Sequence, residues 1–454
     1  MLENLSHTEL VKLVYNILER IDKLEQENIA LKAELAHYKN PKNSRNSSIP
    51  PSKDENRPLK TKSLRTSSGK NVGGQKGHEG NTLVMTDKPD FIIDHKPGFC
   101  QNCGKDLSSF ESELISKRQI VDIPPITPQY TEHRLFQVKC TCGHQVVSSF
   151  PDGVNAPIGY GSNVEAAVAY MHTRQYLPIE RMGEYFNDMC SLPISQGAIC
   201  NILERFAQKA TIAYKLIAQR LEESYIVGSD ETGAKVDGKK GWFWTWQNKM
   251  LTFIAFSFKR GTSAIIDNFP NGFKYAVLVH DCWKSHFETK APKHQICIAH
   301  LLRELKFFEE RYLSDWATLF KKLLLDALHL KDSLSNDDYK SQIFQRTEIE
   351  QKLSALLQTQ IPLYMKEVCT FQKRMMKYKD YIFTFLYYPD VPPDNNGSER
   401  AIRNIKVKQK VSGQFKTLRG AIIYAIIRSV TDTCIKNKQN ILSAFQTIAK
   451  LQPE

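Results

Sequence analysis

Three carboxylates stand in settings where acids do chemistry: Asp230 in YIVGSDETGAKV, Asp281 closing YAVLVHD, and Glu399 in DNNGSERAIRNIKVKQK. Hard oxygen ligands from separate elements suit two Mg²⁺ ions about 4 Å apart, one activating an attacking oxygen and the other stabilising a leaving one. Glu399 also heads a run carrying Arg400, Arg403, Lys406, Lys408 and Lys410, cations able to hold a polyanion beside such a centre. Each acid has a plainer reading as well. Asn396 and Glu399 match a capping box behind Pro392-Pro393. Asp230 suits an exposed strand face, and Asp281 suits a turn or cap.

Nearby residues sort by geometry. Glu231 follows Asp230 and points to the opposite face of a strand, Asp237 sits in a turn, and Asp394 precedes the helix. Arg403 lies one helical turn beyond Glu399, able either to grip a phosphate or to pair with Glu399. Cys297 and His300 have a zinc-like look, but LLREL follows at once and favours core and capping roles.

A second chemistry is carried by Cys100-Gln-Asn-Cys103-Gly and Cys140-Thr-Cys142-Gly. Two clustered pairs, each followed by glycine, suit a tetrahedral four-cysteine zinc site whose filled shell makes the metal structural. His95 and His144 are the substitute ligands. Between the pairs, IVDIPP and YTEHRLFQVK read as short strands.

Strands must position the acids. YIVGSDETGAKV, the turn at Asp237-Gly238, the alternating GWFWTWQ and then LTFIAFSF read as an antiparallel meander, with Trp242, Trp244 and Trp246 on one face. The helical RGTSAIIDNF precedes YAVLVHD, an apolar run suited to a buried parallel strand. If that fourth strand pairs beside the first, Asp230 and Asp281 meet.

Upstream, Leu10, Val14, Ile17, Ile21, Leu24, Asn28, Leu31, Leu35 and Tyr38 form a heptad seam, with Asn28 at a position that favours a parallel dimer in register. Pro41 stops that helix, and the Ser/Asn/Pro/Gly/Lys-rich stretch beyond it reads as a basic linker. Residues 160–222 are helical in pattern. LPIERMGEYFNDMC, a break at Ser191-Leu-Pro193 and ISQGAICNILERFAQKA resemble either a helix-turn-helix or a plain helical hairpin, with Ser195 as a cap.

With 454 residues, 41% of them hydrophobic, the chain has material for several domains, and a net charge of +13 points to a polyanionic partner, most simply nucleic acid. Neither a signal peptide nor a run long enough to span a membrane is evident, which predicts a cytoplasmic protein without a membrane partner. Ten cysteines in such a chain predict buried thiols and metal ligands, not a disulfide framework.

SDETG, HDCWKSH, CIAHLLREL and DNNGSERAIR, with NSSIPPS, GGQKGHEG and the paired cysteines, occur in an order that resembles the transposases of insertion-sequence family sixty-six, a bacterial DDE group. Gly233, where many relatives have proline, and His286, where an aromatic is common, depart from the pattern. The resemblance implies an α/β multidomain chain with an RNase H-like catalytic core. Its acidic triad maps to Asp230, Asp281 and Glu399, holding two Mg²⁺ (or Mn²⁺) ions. The expected organisation is a coiled-coil dimerisation helix (1–39), basic linker (40–90), zinc-ribbon-like module (91–150), helical DNA-binding domain (151–223), core (224–299), helical insertion (300–390), core again (391–436) and a C-terminal helix and tail (437–454). The implied partners are double-stranded DNA at the element ends and target, a second copy of the chain, and companion proteins of the same element. A silent DNA-binding regulator and a nuclease that cuts without joining are the alternatives.

Overall fold

Period-two alternation from Tyr225 onward builds the sheet that organises the protein, seen in a computed structural model that describes residues 6–39, 41–43, 46, 54–55, 77, 83–341 and 344–452. The chain forms two compact units, Leu59–Gln129 with Met189–Ser191, and the remainder. Most of the basic linker lies outside the described residues.

In the smaller unit, Phe99 bridges Asp106 around the first cysteine pair. The expected strand at Ile120–Pro125 does not form: Pro124 and Pro125 lack backbone donors, and these residues pair with no strand among the described residues.

In the larger unit, helix α1 (His7–Lys39) starts with a capping box in which the Ser6 hydroxyl and backbone N–H both donate to Glu9, at 2.7 and 2.9 Å. Its seam residues Leu10, Val14, Ile17, Ile21, Leu24, Leu31 and Leu35 are exposed in the single chain. Strands β1 (Gln137–Lys139) and β2 (Gln145–Val147) form a hairpin around the second cysteine pair. Helices α2 (Ser162–Thr173), α3 (Ile179–Cys190) and α4 (Gln196–Glu222) follow, and the Ser195 hydroxyl accepts from Ala198 N–H as the expected cap of α4.

The meander is β3 (Ile226–Val236), β4 (Lys239–Gln247) and β5 (Thr252–Ser257). Its first turn holds Asp237 and Gly238 at φ +50° and +70°, the left-handed pair that a two-residue hairpin requires. Helix α5 (Thr262–Asn268) leads to β6 (Val277–His280), which pairs parallel to β3. After the short α6 (Lys284–Phe287) comes a strand the sequence did not announce, β7 (Lys293–Ile296), parallel to β6. The sheet order is β5-β4-β3-β6-β7. Trp244 and Trp246, two residues apart, stack on one face, and Trp246 packs near Phe253 and Phe269. Fully burying each such ring contributes about 1.5–3 kcal/mol.

Helices α7 (Ile298–Tyr312), α8 (Asp315–Ser333), α9 (Phe344–Gln358) and α10 (Lys366–Lys377) fill the segment expected as a helical insertion, and they are not a separate body. Val277, Val279 and Ile296 of the sheet share one core with Leu301, Phe308, Phe320, Leu353 and Phe371. Helices α11 (Asn396–Ser412) and α12 (Leu418–Lys436) cover the meander through Ile405, Ala421, Tyr424 and Ala425, packed with Phe243 and Ile254. Helix α13 (Ile441–Ala449) packs on α4, where Phe445 meets Phe206.

Candidate functional site: a carboxylate cluster at the strand ends

Strand register brings the first two acids together. Gly228 of β3 pairs with Val279 of β6, so two further steps along each strand set Asp230 beside Asp281, just past His280 at the end of β6. Their local geometry is fixed by backbone donors: Glu231 N–H donates to Asp230 (2.8 Å) and Trp283 N–H donates to Asp281 (3.0 Å).

The third acid arrives because a helix start can lie almost on the sheet. A Cβ on Gly228 would meet Gln247 at 2.6 Å and Ser398 at 2.7 Å, and one on Gly397 would meet Gln247 at 2.6 Å. A larger residue at either place would push these polar side chains aside. Asn395 then ties the helix down, donating to the Ser229 carbonyl (2.8 Å) and accepting from the Ser398 hydroxyl (2.7 Å). The capping-box reading of Asn396 and Glu399 is therefore overturned: Asn395 is the cap residue, and the Glu399 side chain turns to α7. Asp394 accepts from Asn396 N–H at 3.0 Å, a turn role.

Glu399 meets two residues of CIAHLLREL. Its Oε1 lies 3.3 Å from Arg303 and 3.8 Å from His300 Nε2. The expected alternative partner, Arg403, is exposed on α11. Burial and the Arg303 charge push the His300 pKa below its ordinary value, against the pull of Asp281 and Glu399. Cys297 is a core residue: its sulfur accepts from Asn395 N–H, and burial pushes the thiol up to about 11.

The acids repel one another. Burial first, then the charges of Asp281, Glu231 and Glu399, raise the Asp230 pKa well above its ordinary value, with the Glu231 backbone N–H opposing them. Glu231 is buried too, and burial pushes it up, but His286 and Arg260 outweigh that and hold its pKa down. Its side chain is 3% exposed, 3.0 Å from Arg260 and 3.2 Å from His286. His286 Nε2 is also 3.8 Å from Asp281, so Glu231 is connected to the cluster through His286. Among the described residues no three His, Cys, Asp or Glu side chains form a ready-made ligand set. What is assembled is an excess of negative charge, with Arg303 as a cation beside Glu399, and that donor chemistry fits a divalent ion.

Of the basic residues expected to face nucleic acid, Arg400, Arg403 and Lys410 are exposed. Lys406 donates to the Gly233 carbonyl at 2.5 Å. Lys408 corrects the expectation. It is 4% exposed, its ammonium lies against His172 (3.4 Å) and the Leu177 carbonyl (3.3 Å), and burial pushes its pKa down to about 8. It belongs to the packing of α11 on α2.

The two cysteine turns are built alike, each within its own unit. Gly104 N–H donates to the Cys100 carbonyl and Gly143 N–H to the Cys140 carbonyl, both at 2.9 Å, with the glycines at φ +72° and +91°. Hydrogen bonds from Cys103 and Asn102 lower the Cys100 pKa, and hydrogen bonds from Cys142 and Thr141 lower that of Cys140. Such turns favour thiolate, the form that binds zinc.

A mixed sheet flanked by helices, with acids gathered where its parallel strands end, defines an α/β domain. The sequence model of the Transposase IS66 family matches residues 158–422, more than half of the chain, and the chain belongs to that family. It is thus a transposase, a DNA-binding and DNA-processing enzyme. Residues 3–83 match a family of unknown function (DUF6444). Among curated proteins, none matches the chain. Among the described residues no helix is long and apolar enough to cross a membrane.

Proposed function

We propose that the chain is a DDE transposase of a bacterial insertion sequence, with an RNase H-like core and the triad Asp230, Asp281 and Glu399. The observation carrying this reading is the β3–β6 register, which sets Asp230 beside Asp281 at the point where Glu399 adds a third negative charge. Two Mg²⁺ or Mn²⁺ ions held by these carboxylates would activate the attacking oxygen and stabilise the leaving one.

In this mechanism Arg400, Arg403, Lys406 and Lys410 of α11 hold the phosphate backbone of the terminal inverted repeat. Arg303 leaves Glu399 and turns to the scissile phosphate, where a guanidinium neutralises developing charge. Attack by water breaks the phosphorus–O3′ bond and leaves a 5′ phosphate on one fragment and a 3′ hydroxyl on the element. That hydroxyl then attacks a target phosphodiester in line, one P–O bond forming as another breaks, without a covalent protein intermediate. Cys100, Cys103, Cys140 and Cys142 hold a structural Zn²⁺ in a module that helps to recognise the ends, and α1 pairs with a second copy.

The test incubates the protein and Mg²⁺ or Mn²⁺ with labelled oligonucleotides copied from the element ends. The parent nicks and joins them. Asp281→Asn and Glu399→Gln bind the ends but do neither, whereas equal loss of binding would refute this division of labour. A zinc assay on the same preparations reads about one ion per chain, and Cys103→Ser lowers it.

A further inference from the structure

Trp283 is placed unlike the large rings of the core. Trp244 and Trp246 are fully buried, but Trp283 keeps 38% of its surface exposed while standing two positions beyond Asp281. Its backbone N–H is the donor that holds Asp281, at 3.0 Å. The ring is also held in place: the Arg260 guanidinium lies over one face, 4.1 Å from the centroid. Arg260 is itself anchored 3.0 Å from the buried Glu231 while its side chain stays 45% exposed. What sets this ring apart is its place: it stands beside the cluster of acids, fixed by an anchored cation, with a surface open to a ligand.

The occupant follows from charge and chemistry. The enzyme acts on DNA, and every nucleobase has a π-face that stacks on an indole. Asp230 is half-buried at the strand ends, so a phosphate cut there comes in close and brings its flanking bases within reach of the exposed ring. We propose that Trp283, backed by Arg260, is a stacking seat for one nucleobase extruded from the DNA end next to the cut. This rests on the reading of the carboxylate cluster as the strand-cleavage site. The base leaves its pair and stacks on the indole, Arg260 balances the flanking phosphate, and the backbone is drawn towards Asp281. No covalent bond changes in this step.

The experiment uses the full chain and oligonucleotides copied from the element end, with 5-iodouracil placed in turn at each position flanking the cut. Irradiation crosslinks the halogenated base to an aromatic ring stacked on it, and peptide mapping identifies that ring. The same complexes are assayed for Mn²⁺-dependent nicking. Crosslinking to Trp283 at one or two adjacent positions, absent from Trp283→Ala, is the expected result. Trp283→Ala nicks the intact duplex about tenfold or more slowly, in keeping with the loss of one base–aromatic stack. Trp283→Phe recovers most of the rate, and an abasic nucleotide at the crosslinked position restores Trp283→Ala, because no base then needs a seat. Crosslinks that map elsewhere, or a Trp283→Ala rate equal to the parent's, overturn the seat. Crosslinking through Trp283 with no nicking by the parent keeps the seat and overturns the strand-cleavage reading instead.

Discussion

Arg303 Nη2 lies 3.3 Å from Glu399 Oε1, joining helices α7 and α11 across 96 positions of sequence. Both side chains are partly exposed, at 33% and 25%, so the pair contributes about 0–1 kcal/mol to stability. In the proposed mechanism its larger effect is on what else Glu399 can hold, since a guanidinium and a divalent ion would compete for the same oxygen. Arg303→Ala should leave the melting temperature almost unchanged. It should tighten Mn²⁺ binding about three- to tenfold, from removal of one nearby positive charge, and slow strand cleavage. Calorimetric titration with Mn²⁺ reads the first effect, and weaker binding in the variant would show that Arg303 supports the metal site instead of competing with it.

Asp230 supplies a pH prediction. Its folded-state pKa is raised by burial and by Asp281, Glu231 and Glu399, so the metal-free protein is stabilised while Asp230 keeps its proton and loses that stability as pH rises through the raised value. In EDTA, Asp230→Asn should melt higher than the parent, with a gap that widens as pH rises above the ordinary value of 3.8. Mg²⁺ should close the gap by stabilising the parent alone. A pH-independent gap in thermal scans would mean that Asp230 does not feel its neighbours.

Two cations on one helix should behave differently. Arg403→Ala should weaken DNA binding and lower the slope of log affinity against log salt by about one. Lys408→Met should leave that slope alone, because Lys408 is buried against His172 and Leu177. Its folded pKa is depressed to about 8 from 10.5, so the unfolded state binds more protons between these values and parent stability rises with pH there. Lys408→Met should show a shallower rise. Salt titrations and melts from pH 7 to 10 separate the two roles.

The exposed seam of α1 predicts self-association. Leu24 and Leu31 contribute about 1.5–3 kcal/mol each when buried at a helix interface. The double variant Leu24→Lys, Leu31→Lys should therefore weaken self-association at least a hundredfold and shift the mass in light scattering towards a single chain. A parent that already runs as one chain would assign α1 to another partner.

Much of the site was legible because strand periodicity and chain order carry it: alternation placed β3, the apolar run placed β6, and together they brought Asp230 to Asp281. What escaped depended on packing. β7 is a four-residue KHQI with no alternation to report it, and its burial comes from the segment after α10, where His294 bonds to Thr384 and Gln295 to Ile382 and Phe385. Lys408 reads as one more cation in a basic run, since only the seating of α11 on α2 reveals it as buried. Asn395 stands as the cap in place of Asn396, held by hydrogen bonds to Ser229 and Ser398 that the local sequence does not announce. His300 and Arg303 share one face of α7 at a spacing of three, a signal present in CIAHLLREL that gained meaning only once Glu399 was seen opposite.

The helical insertion that shares its core with β6 and β7 has a consequence during synthesis. The edge of the sheet that carries Asp281 stays uncovered until α7–α10 have emerged and docked, and Glu399 follows later still. At about 5–20 residues per second, roughly 6–24 s separate the emergence of Asp281 from that of Glu399. A chain interrupted within that interval has Asp230 and Asp281 without Glu399, and an open apolar flank prone to non-native association. The order of the elements therefore brings Glu399 to Asp230 and Asp281 only after most of the chain has been made.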